Sequence, residues 1–173
     1  TPSNSSAASD VYKRQSLVYT GGDYIYALRG NNTTDFWRYS ISTNSWTPMT
    51  STPDTVGIGG ALVSTGGDYI YALRGNNTTD FWRYSISQNS WTPMTSTPDT
   101  NWYGTSLAYT GDYLYALRGG HTTDFWRYTV GGDTGYDKLA SQGLMLRGNI
   151  FAEQGTNLVA ETSNTALTIT QSG

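Results

Sequence analysis

The sequence predicts an all-β fold in which four-stranded sheets, or blades, pack face to face around a common axis, as in a β-propeller. Three observations predict it. A unit of about 45 residues recurs in tandem, each unit holds short runs of β-forming residues between turn-forming residues, and these runs are apolar on both faces. The predicted propeller is incomplete, with two full four-stranded blades, most of a third blade and a C-terminal β extension.

The tandem repeat is visible as equivalent residues at constant spacing. Leucines recur 45 residues apart, and glycines recur first 45 and then 44 residues apart. These markers are Leu17, Leu62 and Leu107, and Gly30, Gly75 and Gly119. The residue missing from the third unit falls in a glycine turn, and loops absorb deletions more readily than strands. The units predict blades at residues 16–49, 61–94 and 105–130.

Each unit contains four runs rich in Tyr, Trp, Phe, Ile and Thr, separated by clusters of Gly, Asn, Asp and Pro. This composition is typical of strands joined by hairpin turns. In the first unit the predicted strands are residues 16–20, 24–29, 36–41 and 46–49. No run has helical periodicity, so the unit is expected to contain strands and turns alone.

The second strand of the unit shows why stacked blades are predicted rather than a one-sided sheet. Side chains alternate along a strand, so Tyr26 and Leu28 face one way and Ile25 and Ala27 the other. Both faces are therefore apolar. Such a sheet needs a neighbour on each side, and radial stacking of blades supplies both.

A glycine follows the Tyr-Ile-Tyr-Ala-Leu strand, and Asp-Phe-Trp-Arg-Tyr and Asn-Ser-Trp-Thr-Pro-Met come after it. Over residues 16–128 this pattern resembles kelch repeats, whose family fold is a β-propeller. The pattern departs from the family at a paired glycine. Kelch blades end the second strand in Gly-Gly, whereas Gly30 and Gly75 are followed by asparagine and only Gly119-Gly120 fits.

Composition limits the classes of partner. The net charge is −3 and the arginines sit mostly at repeated positions, which argues against nucleic acid because phosphate binding needs clustered Lys and Arg. The chain has no cysteine, so it can form neither a disulfide nor a thiolate metal site. No apolar run is long enough to span a membrane, and no signal peptide is visible. No cofactor, metal site or catalytic residue is predicted.

The two ends of the chain differ from the repeats. Residues 1–15 are expected to be a disordered or non-native leader, since residues 5–15 resemble translated sequencing adaptor of the kind found in open reading frames from metagenomes. Residues 131–173 are expected to be a Gly-rich linker and a β-rich segment that resembles the stalk repeats of tail-fibre-like bacterial surface proteins. That resemblance implies an extracellular or cell-surface location.

The third unit is predicted to keep three strands, through Tyr128 and Val130, and to lack the fourth. No counterpart of Trp46 or Trp91 precedes Gly131. An unclosed propeller exposes apolar faces and sheet edges, which favour association. Three arrangements stay open: a fragment of a longer protein, copies that assemble to complete a ring, or a C-terminal segment that covers an edge. The fragment is favoured, so the expected partners are missing blades of a parent chain or other copies of this one.

Charged residues and tryptophans that occur in every unit are interpreted as structural. The repeated charges are Arg29, Arg74 and Arg118 with Asp35, Asp80 and Asp124, and the repeated tryptophans are Trp37, Trp82, Trp126, Trp46 and Trp91. We expect the charges, with the Arg38 position, to form ion pairs between blades, because buried charges persist only when paired. The alternative is that they line a channel and bind an anion or a sugar.

Positions where the units differ are the better candidates for a ligand site. The loops between second and third strands and the linkers between blades should emerge on one face, because strands alternate in direction. On that face Trp102-Tyr103 are taken to replace Val56-Gly57, and His121 replaces an asparagine. With Asn31 and Asn76, these side chains predict a sugar-binding site (candidates Trp102, Tyr103, His121, Asn31 and Asn76). The alternative is that Trp102 packs between blades.

The function predicted from these features is a non-enzymatic binding or adhesion module, with glycans or a surface protein as partner. The alternative is a structural subunit that completes a propeller ring or a filament by self-assembly. A hydrolase or an oxidase comes third. His121 is the single histidine, and the copper oxidases among kelch-like propellers need a cysteine that this chain lacks.

Overall fold

The computed structural model describes residues 15–130 and 136–140, which form twelve strands in three four-stranded antiparallel sheets. Blade 1 consists of β1 (Ser16–Tyr19), β2 (Tyr24–Leu28), β3 (Phe36–Ser40) and β4 (Ser45–Pro48). Blade 2 consists of β5 (Ala61–Ser64), β6 (Tyr69–Leu73), β7 (Phe81–Ser85) and β8 (Ser90–Pro93). Blade 3 consists of β9 (Ser106–Tyr109), β10 (Tyr113–Leu117), β11 (Phe125–Thr129) and β12 (Tyr136–Ala140).

The strands of each blade lie in chain order, so every blade is an antiparallel meander. The all-β prediction is confirmed, since the described residues form no helix. The described residues therefore contain no helix that is long and apolar enough to cross a membrane.

Both faces of a blade are apolar, as the strand pattern predicts. In blade 1, Tyr26, Leu28 and Phe36 pack toward blade 2, whereas Ala27 and Trp37 lie on the opposite face. Blade 2 is covered on both faces and blades 1 and 3 pack against it. Among the described residues the core is therefore divided into two layers, one between blades 1 and 2 and one between blades 2 and 3.

Aromatic rings form the centre of both layers. Between blades 1 and 2, the Phe36 ring lies 4.8 Å from the Tyr84 ring and 4.9 Å from the Trp91 ring, measured between centroids. Between blades 2 and 3, the Phe81 and Tyr128 rings lie 5.2 Å apart. Edge-to-face pairs of this kind contribute about 0.5–1.5 kcal/mol each beyond the area they bury. The repeated aromatic motif therefore supplies the contacts between blades.

Aspartates before the second strand hold the hairpin ends of blades 1 and 2. The Asp23 carboxylate accepts hydrogen bonds from the Ser40 hydroxyl at 2.6 Å and from the Ser42 backbone N–H at 2.7 Å. Asp68 is held in the same way by Ser85 and Ser87. These hydrogen bonds lower the pKa of both aspartates, and the serine hydroxyl makes the largest contribution.

The third unit has the fourth strand that the sequence analysis leaves out. Strand β12 pairs with β11 in antiparallel register, with an irregularity between Phe125 and Trp126. The prediction of only three strands is wrong, and residues 136–140 are part of a blade rather than of a linker. That prediction depended on a tryptophan at the fourth strand, but pairing needs only the free N–H and C=O groups at the edge of β11.

The remaining predictions about the chain ends concern residues that the structure does not describe. The leader interpretation falls on residues 1–14, with residue 15 described next to β1. The stalk-like interpretation falls on residues 141–173. Both lie outside the described residues.

Candidate ligand-binding site

The loops between second and third strands lie against the linkers between blades. In blade 1 the Asn32 N–H donates to the Val56 carbonyl at 2.9 Å, and the Val56 N–H donates to the Thr33 carbonyl at 2.9 Å. The Thr52 N–H donates to the Thr34 carbonyl at 3.0 Å. These bonds join the two sets of loops that were expected to share a face, so residues from both can form one surface.

The same bonds correct the alignment of the second linker. Thr33 pairs with Val56 in the first linker, and Thr78 pairs with Asn101 in the second. Asn101 is therefore the equivalent of Val56, and Trp102 and Tyr103 are the equivalents of Gly57 and Ile58 (equivalent pairs Val56 and Asn101, Gly57 and Trp102, Ile58 and Tyr103). The sequence analysis placed Trp102-Tyr103 one position too early, although the spacing of 45 residues between Thr55 and Thr100 and between Gly59 and Gly104 gives the observed register.

Trp102, Tyr103 and His121 lie together, as predicted, and we call them the aromatic cluster. The Tyr103 and His121 rings have centroids 5.2 Å apart at an angle of 79°, and the Trp102 and Tyr103 rings have centroids 6.2 Å apart at 66°. All three side chains are exposed. His121 has a φ of 61°, close to the values of Asn32 and Asn77 at the equivalent positions, and His, like Asn, tolerates this left-handed region better than most residues.

The position of the Trp102 side chain depends on a glycine opposite it. A Cβ atom at Gly120 would lie 3.2 Å from the Trp102 Cβ and 3.7 Å from its Cδ1. In the preceding linker the sizes are reversed, since a Cβ at Gly57 would lie 2.8 Å from side-chain atoms of both Asn32 and Asn76. The third unit therefore has a large side chain in the linker, at Trp102, and no side chain in the loop, at Gly120. The second unit has no side chain in the linker, at Gly57, and a larger one in the loop, at Asn76.

A shallow cavity of about 180 Å³ lies beside the cluster. The described residues that line it are Asn77, Thr100, Trp102, Tyr103, Arg118, Gly120 and Thr122. Asn77 thus contributes an amide that the sequence analysis assigned to its neighbour Asn76. Asn76 packs against Gly57, and Asn31 lies in the loop of blade 1. The cavity joins aromatic surface to an amide, two hydroxyls and a guanidinium.

Asn101 is a buried polar residue that sequence reasoning missed. It is fully buried, and its Nδ2 donates to the Thr97 hydroxyl at 2.8 Å and to the Thr78 carbonyl at 3.3 Å. Its Oδ1 has no hydrogen-bond partner among the described residues. An asparagine between two blades is typical of an exposed turn, and only the comparison with buried Val56 reveals its environment.

The repeated arginines join their own blade to the linker that enters it. The Arg74 Nη1 lies 2.7 Å from the Asp80 carboxylate, its Nη2 lies 3.0 Å from Asp54, and its Nε donates to the Thr55 carbonyl at 2.8 Å. Arg118 makes the same contacts with Asp124, Asp99 and Thr100 (Arg118 to Asp124 and Asp99, both 3.0 Å, and to Thr100, 2.9 Å). This geometry supports the structural interpretation, with Asp54 and Asp99 as partners that the repeat analysis did not single out.

Arg29 and the Arg38 position differ from that scheme. Arg29 lies 2.8 Å from Asp35 of its own loop, and its side chain is largely exposed. The Arg38 guanidinium lies 4.4 Å from the centre of the Tyr24 ring in the same blade. Arg83 and Arg127 lie in the same way over Tyr69 and Tyr113. The sequence analysis predicted that the Arg38 position forms an ion pair between blades. The contact found at this position is a cation–π contact within a blade.

The repeated tryptophans differ in burial according to their blade. Trp82 and Trp126 are buried, Trp37 and Trp91 are half-buried, and Trp46 is exposed. Trp37 and Trp46 both belong to blade 1, on the face that no described blade covers. The tryptophans therefore act as contacts between blades where a blade lies against them.

Within residues 15–130 and 136–140, no group of three or more His, Cys, Asp or Glu residues could hold a metal ion. The chemistry that this site offers is thus ring stacking on Trp102 and Tyr103, together with hydrogen bonding by Asn77 and the neighbouring hydroxyls.

The blades and their packing define the class of protein: an all-β, β-propeller-like repeat protein. The fold is similar to the solved structure titled "Structure of YjhT", with a TM-score of 0.60 and 11% identical residues over 75% of this chain and 52% of that chain. This chain therefore spans about half the length of that protein. No family model and no curated protein matches the sequence.

Proposed function

We propose that this protein is a non-enzymatic, kelch-like binding module and that the aromatic cluster binds carbohydrate. One observation carries the proposal: the loop surface departs from the repeat where Trp102, Tyr103 and His121 come together. In the equivalent places the linker that enters blade 2 has Gly57 and Ile58, and the loops of blades 1 and 2 have asparagine. Repeated positions serve packing in every blade, so a cluster that appears once is better explained by a ligand.

The surroundings of the cluster suit a sugar. A pyranose ring has C–H groups on its faces, which stack on aromatic rings, and hydroxyls around its edge, which need hydrogen-bond partners. Trp102 and Tyr103 offer exposed rings, while Asn77, Thr100 and Thr122 border the same cavity. A volume of about 180 Å³ fits one ring or part of one, so the expected ligand is a terminal sugar residue.

The charges around the cavity favour binding over catalysis. Arg118 lines the cavity, and its Nη1 lies 3.0 Å from both Asp99 and Asp124. Asp99 and Asp124 therefore hold the Arg118 guanidinium in place, and carboxylates engaged in this way are poorly placed to act on a ligand. His121 faces the Tyr103 ring. These contacts support a binding module in preference to a hydrolase or an oxidase.

A glycan array followed by calorimetric titration of the strongest glycan tests the proposal. We expect W102A and Y103A each to weaken binding about tenfold or more, because aromatic anchors at the centre of an interface carry at least about 1.4 kcal/mol. H121N, which restores the asparagine of the other blades, should weaken it less. Y69A is the matched control, since Tyr69 is exposed to the same degree as Tyr103 but lies outside the aromatic cluster and its cavity.

Two results would overturn the proposal. One is an array on which the folded chain binds no glycan. The other is a glycan that W102A and Y103A bind as tightly as the unchanged chain. The extracellular location, the stalk-like segment and a surface protein as partner stay predictions. The alternative function, self-assembly, is supported by a separate observation, the uncovered apolar faces of blades 1 and 3.

A further inference from the structure

Blades 1 and 3 each have one apolar face that no described residue covers. On blade 1, Leu17, Trp37 and Trp46 border a cavity of about 760 Å³, and we call this surface the leading face. On blade 3, Tyr115, Leu117 and Phe125 border a cavity of about 340 Å³, and we call this surface the trailing face. We propose that the trailing face of one copy of this chain docks on the leading face of a second copy.

The first argument is that the surfaces equivalent to these two faces form interfaces between blades elsewhere in the same chain. The equivalent of Leu17 in blade 2 is Leu62, and their exposed fractions are 65% and 8%. The equivalent of Leu117 is Leu73, and their exposed fractions are 48% and 0%. The difference arises because blade 2 has a neighbour on each side. The leading face of blade 1 is therefore equivalent to the faces of blades 2 and 3 that pack against the preceding blade.

The second argument is the geometry of two ring pairs. On the leading face the Tyr39 and Trp46 rings lie 5.0 Å apart at 47°, and their equivalents in blade 2, Tyr84 and Trp91, lie 5.0 Å apart at 49°. The uncovered pair thus already has the arrangement of the covered pair. Phe36 packs against the pair in blade 2, so a phenylalanine is the side chain that fits the leading face.

The trailing face supplies that phenylalanine. Tyr115 and Phe125 stack with centroids 5.4 Å apart at 18°, close to the 5.6 Å and 24° of Tyr26 and Phe36. Phe125 of one copy would then meet the Tyr39 and Trp46 rings of the other. Because these rings already have the arrangement of the covered pairs, few side chains need to be ordered when two copies dock. This lowers the entropic cost of association.

The third argument is a hydrogen bond. Between blades 1 and 2 the Leu62 N–H donates to the Ser16 hydroxyl at 3.0 Å. Position 61, the equivalent of Ser16 in blade 2, is alanine, but position 106 in blade 3 is again serine. Ser106 borders the trailing face and Leu17 borders the leading face. The Leu17 N–H of one copy can therefore donate to the Ser106 hydroxyl of the other.

Blade count favours a closed pair. Propellers typically have about four to eight blades. The described residues of one chain supply three four-stranded sheets, so those of two copies supply six, and those of three copies would exceed that range. A head-to-tail contact closes a ring when its rotation allows and forms a filament when it does not. Two copies joined by two identical contacts form a ring of ordinary size.

Sedimentation equilibrium over a concentration series tests the docking. The unchanged protein is expected to sediment as a dimer, with twice the mass of one chain. At concentrations where the unchanged protein is a dimer, L17D and L117D are each expected to be monomers. Both leucines are exposed within a single chain, so these variants should keep the native far-UV circular dichroism. Q88D, at an exposed position away from both faces, is the matched control and should stay dimeric.

Mixing the two variants gives the sharper result. L17D retains an intact trailing face and L117D an intact leading face, so the mixture should form a heterodimer through one unaltered contact. A short bismaleimide should also cross-link S106C of one chain to L17C of another, because the chain has no cysteine of its own. S16C with L62C is the control for geometry and should cross-link within one chain.

Four outcomes would overturn the proposal. They are a monomer at every concentration, a dimer that survives both L17D and L117D, a mixture of the variants that does not associate, and an open series of larger oligomers. Each outcome is independent of glycan binding.

Discussion

The indole of Trp102 packs on Gly120, where a Cβ atom would stand only 3.2 Å from the Trp102 Cβ. The preceding linker shows the reverse arrangement, in which Gly57 lies under Asn76. Two changes of opposite size thus compensate each other. Their result is an exposed indole where the loop surface of the third unit becomes aromatic, so the pair links local packing to the proposed ligand site.

The variant G120N is expected to displace Trp102 without disturbing the backbone. Gly120 has a φ of 61° and Asn76, its equivalent, has a φ of 55°, so asparagine fits the conformation. The new side chain would occupy the space over which the indole lies. We expect a shift in tryptophan fluorescence and a loss of glycan affinity of about tenfold, equivalent to about 1.4 kcal/mol. N76G is the control and should change neither the tryptophan fluorescence nor the glycan affinity. An unchanged emission spectrum in G120N would contradict this account of the packing.

The variant N101V is expected to stabilise the protein. Val56 is buried at the equivalent position, so valine fits, whereas Asn101 buries an Oδ1 that has no partner among the described residues. Replacing a buried, incompletely bonded polar group with an apolar one should raise the free energy of unfolding by about 1 kcal/mol. Urea denaturation measures it. V56N, the reverse change, should destabilise, and a less stable N101V would show that the bonds from Asn101 outweigh its unsatisfied oxygen.

The variants R74Q and R29Q are expected to differ in their effect on stability. The Arg74 side chain is 16% exposed and contacts two carboxylates and a carbonyl, whereas Arg29 is 58% exposed beside Asp35. Loss of charged hydrogen bonds at Arg74 should cost about 2 kcal/mol, a figure that allows for the half-exposed Asp54. The exposed pair of Arg29 should contribute less than about 1 kcal/mol. Equal losses in urea denaturation would contradict the tethering role of Arg74.

Stability should fall in acid partly because of Asp23 and Asp68. Hydrogen bonds from Ser40 and Ser42, and from Ser85 and Ser87, lower the pKa of the two carboxyls in the folded state. Their contribution is therefore complete above the ordinary aspartate pKa of about 3.9 and is lost as the pH falls below it.

The variant D68N tests this pH dependence. It should be less stable than the unchanged protein near pH 7, and the difference should shrink as the pH falls below about 4, because the aspartate of the unfolded chain is protonated before that of the folded protein. Urea denaturation between pH 2 and pH 7 measures both, with Q88T as control, since blade 1 has threonine at the equivalent position. A difference that stays constant across the acid range would exclude this linkage.

Most of the architecture could be predicted because it repeats. Alternating aromatic residues and turn residues at equal spacing predict strands, sheet faces and contacts between blades without knowledge of any long-range pairing. The fourth strand of blade 3 could not be predicted in this way. It lacks the tryptophan motif, and its pairing with β11 comes from free backbone groups that carry no sequence signal.

The candidate site was predicted in part. Trp102, Tyr103 and His121 stand out as departures from the repeat, and the structure brings them together. Their register was misaligned, although the spacing of 45 residues and the shared flanking residues, Thr55 with Thr100 and Gly59 with Gly104, give it from the sequence. Asn101 and Asn77 were missed because an asparagine in a loop has the same pattern whether it is buried, lines a cavity or lies in solvent.

The order of residues alone determines that this chain forms aromatic strands in tandem blades, since strand formation and two-sided burial depend on local alternation. The tertiary structure alone decides which copy of each repeated residue is covered. Leu62 and Leu73 are buried while Leu17 and Leu117 are exposed, although their local sequences are nearly the same. The reason is that burial depends on which blade lies opposite, and that is a property of position in the array rather than of the residue.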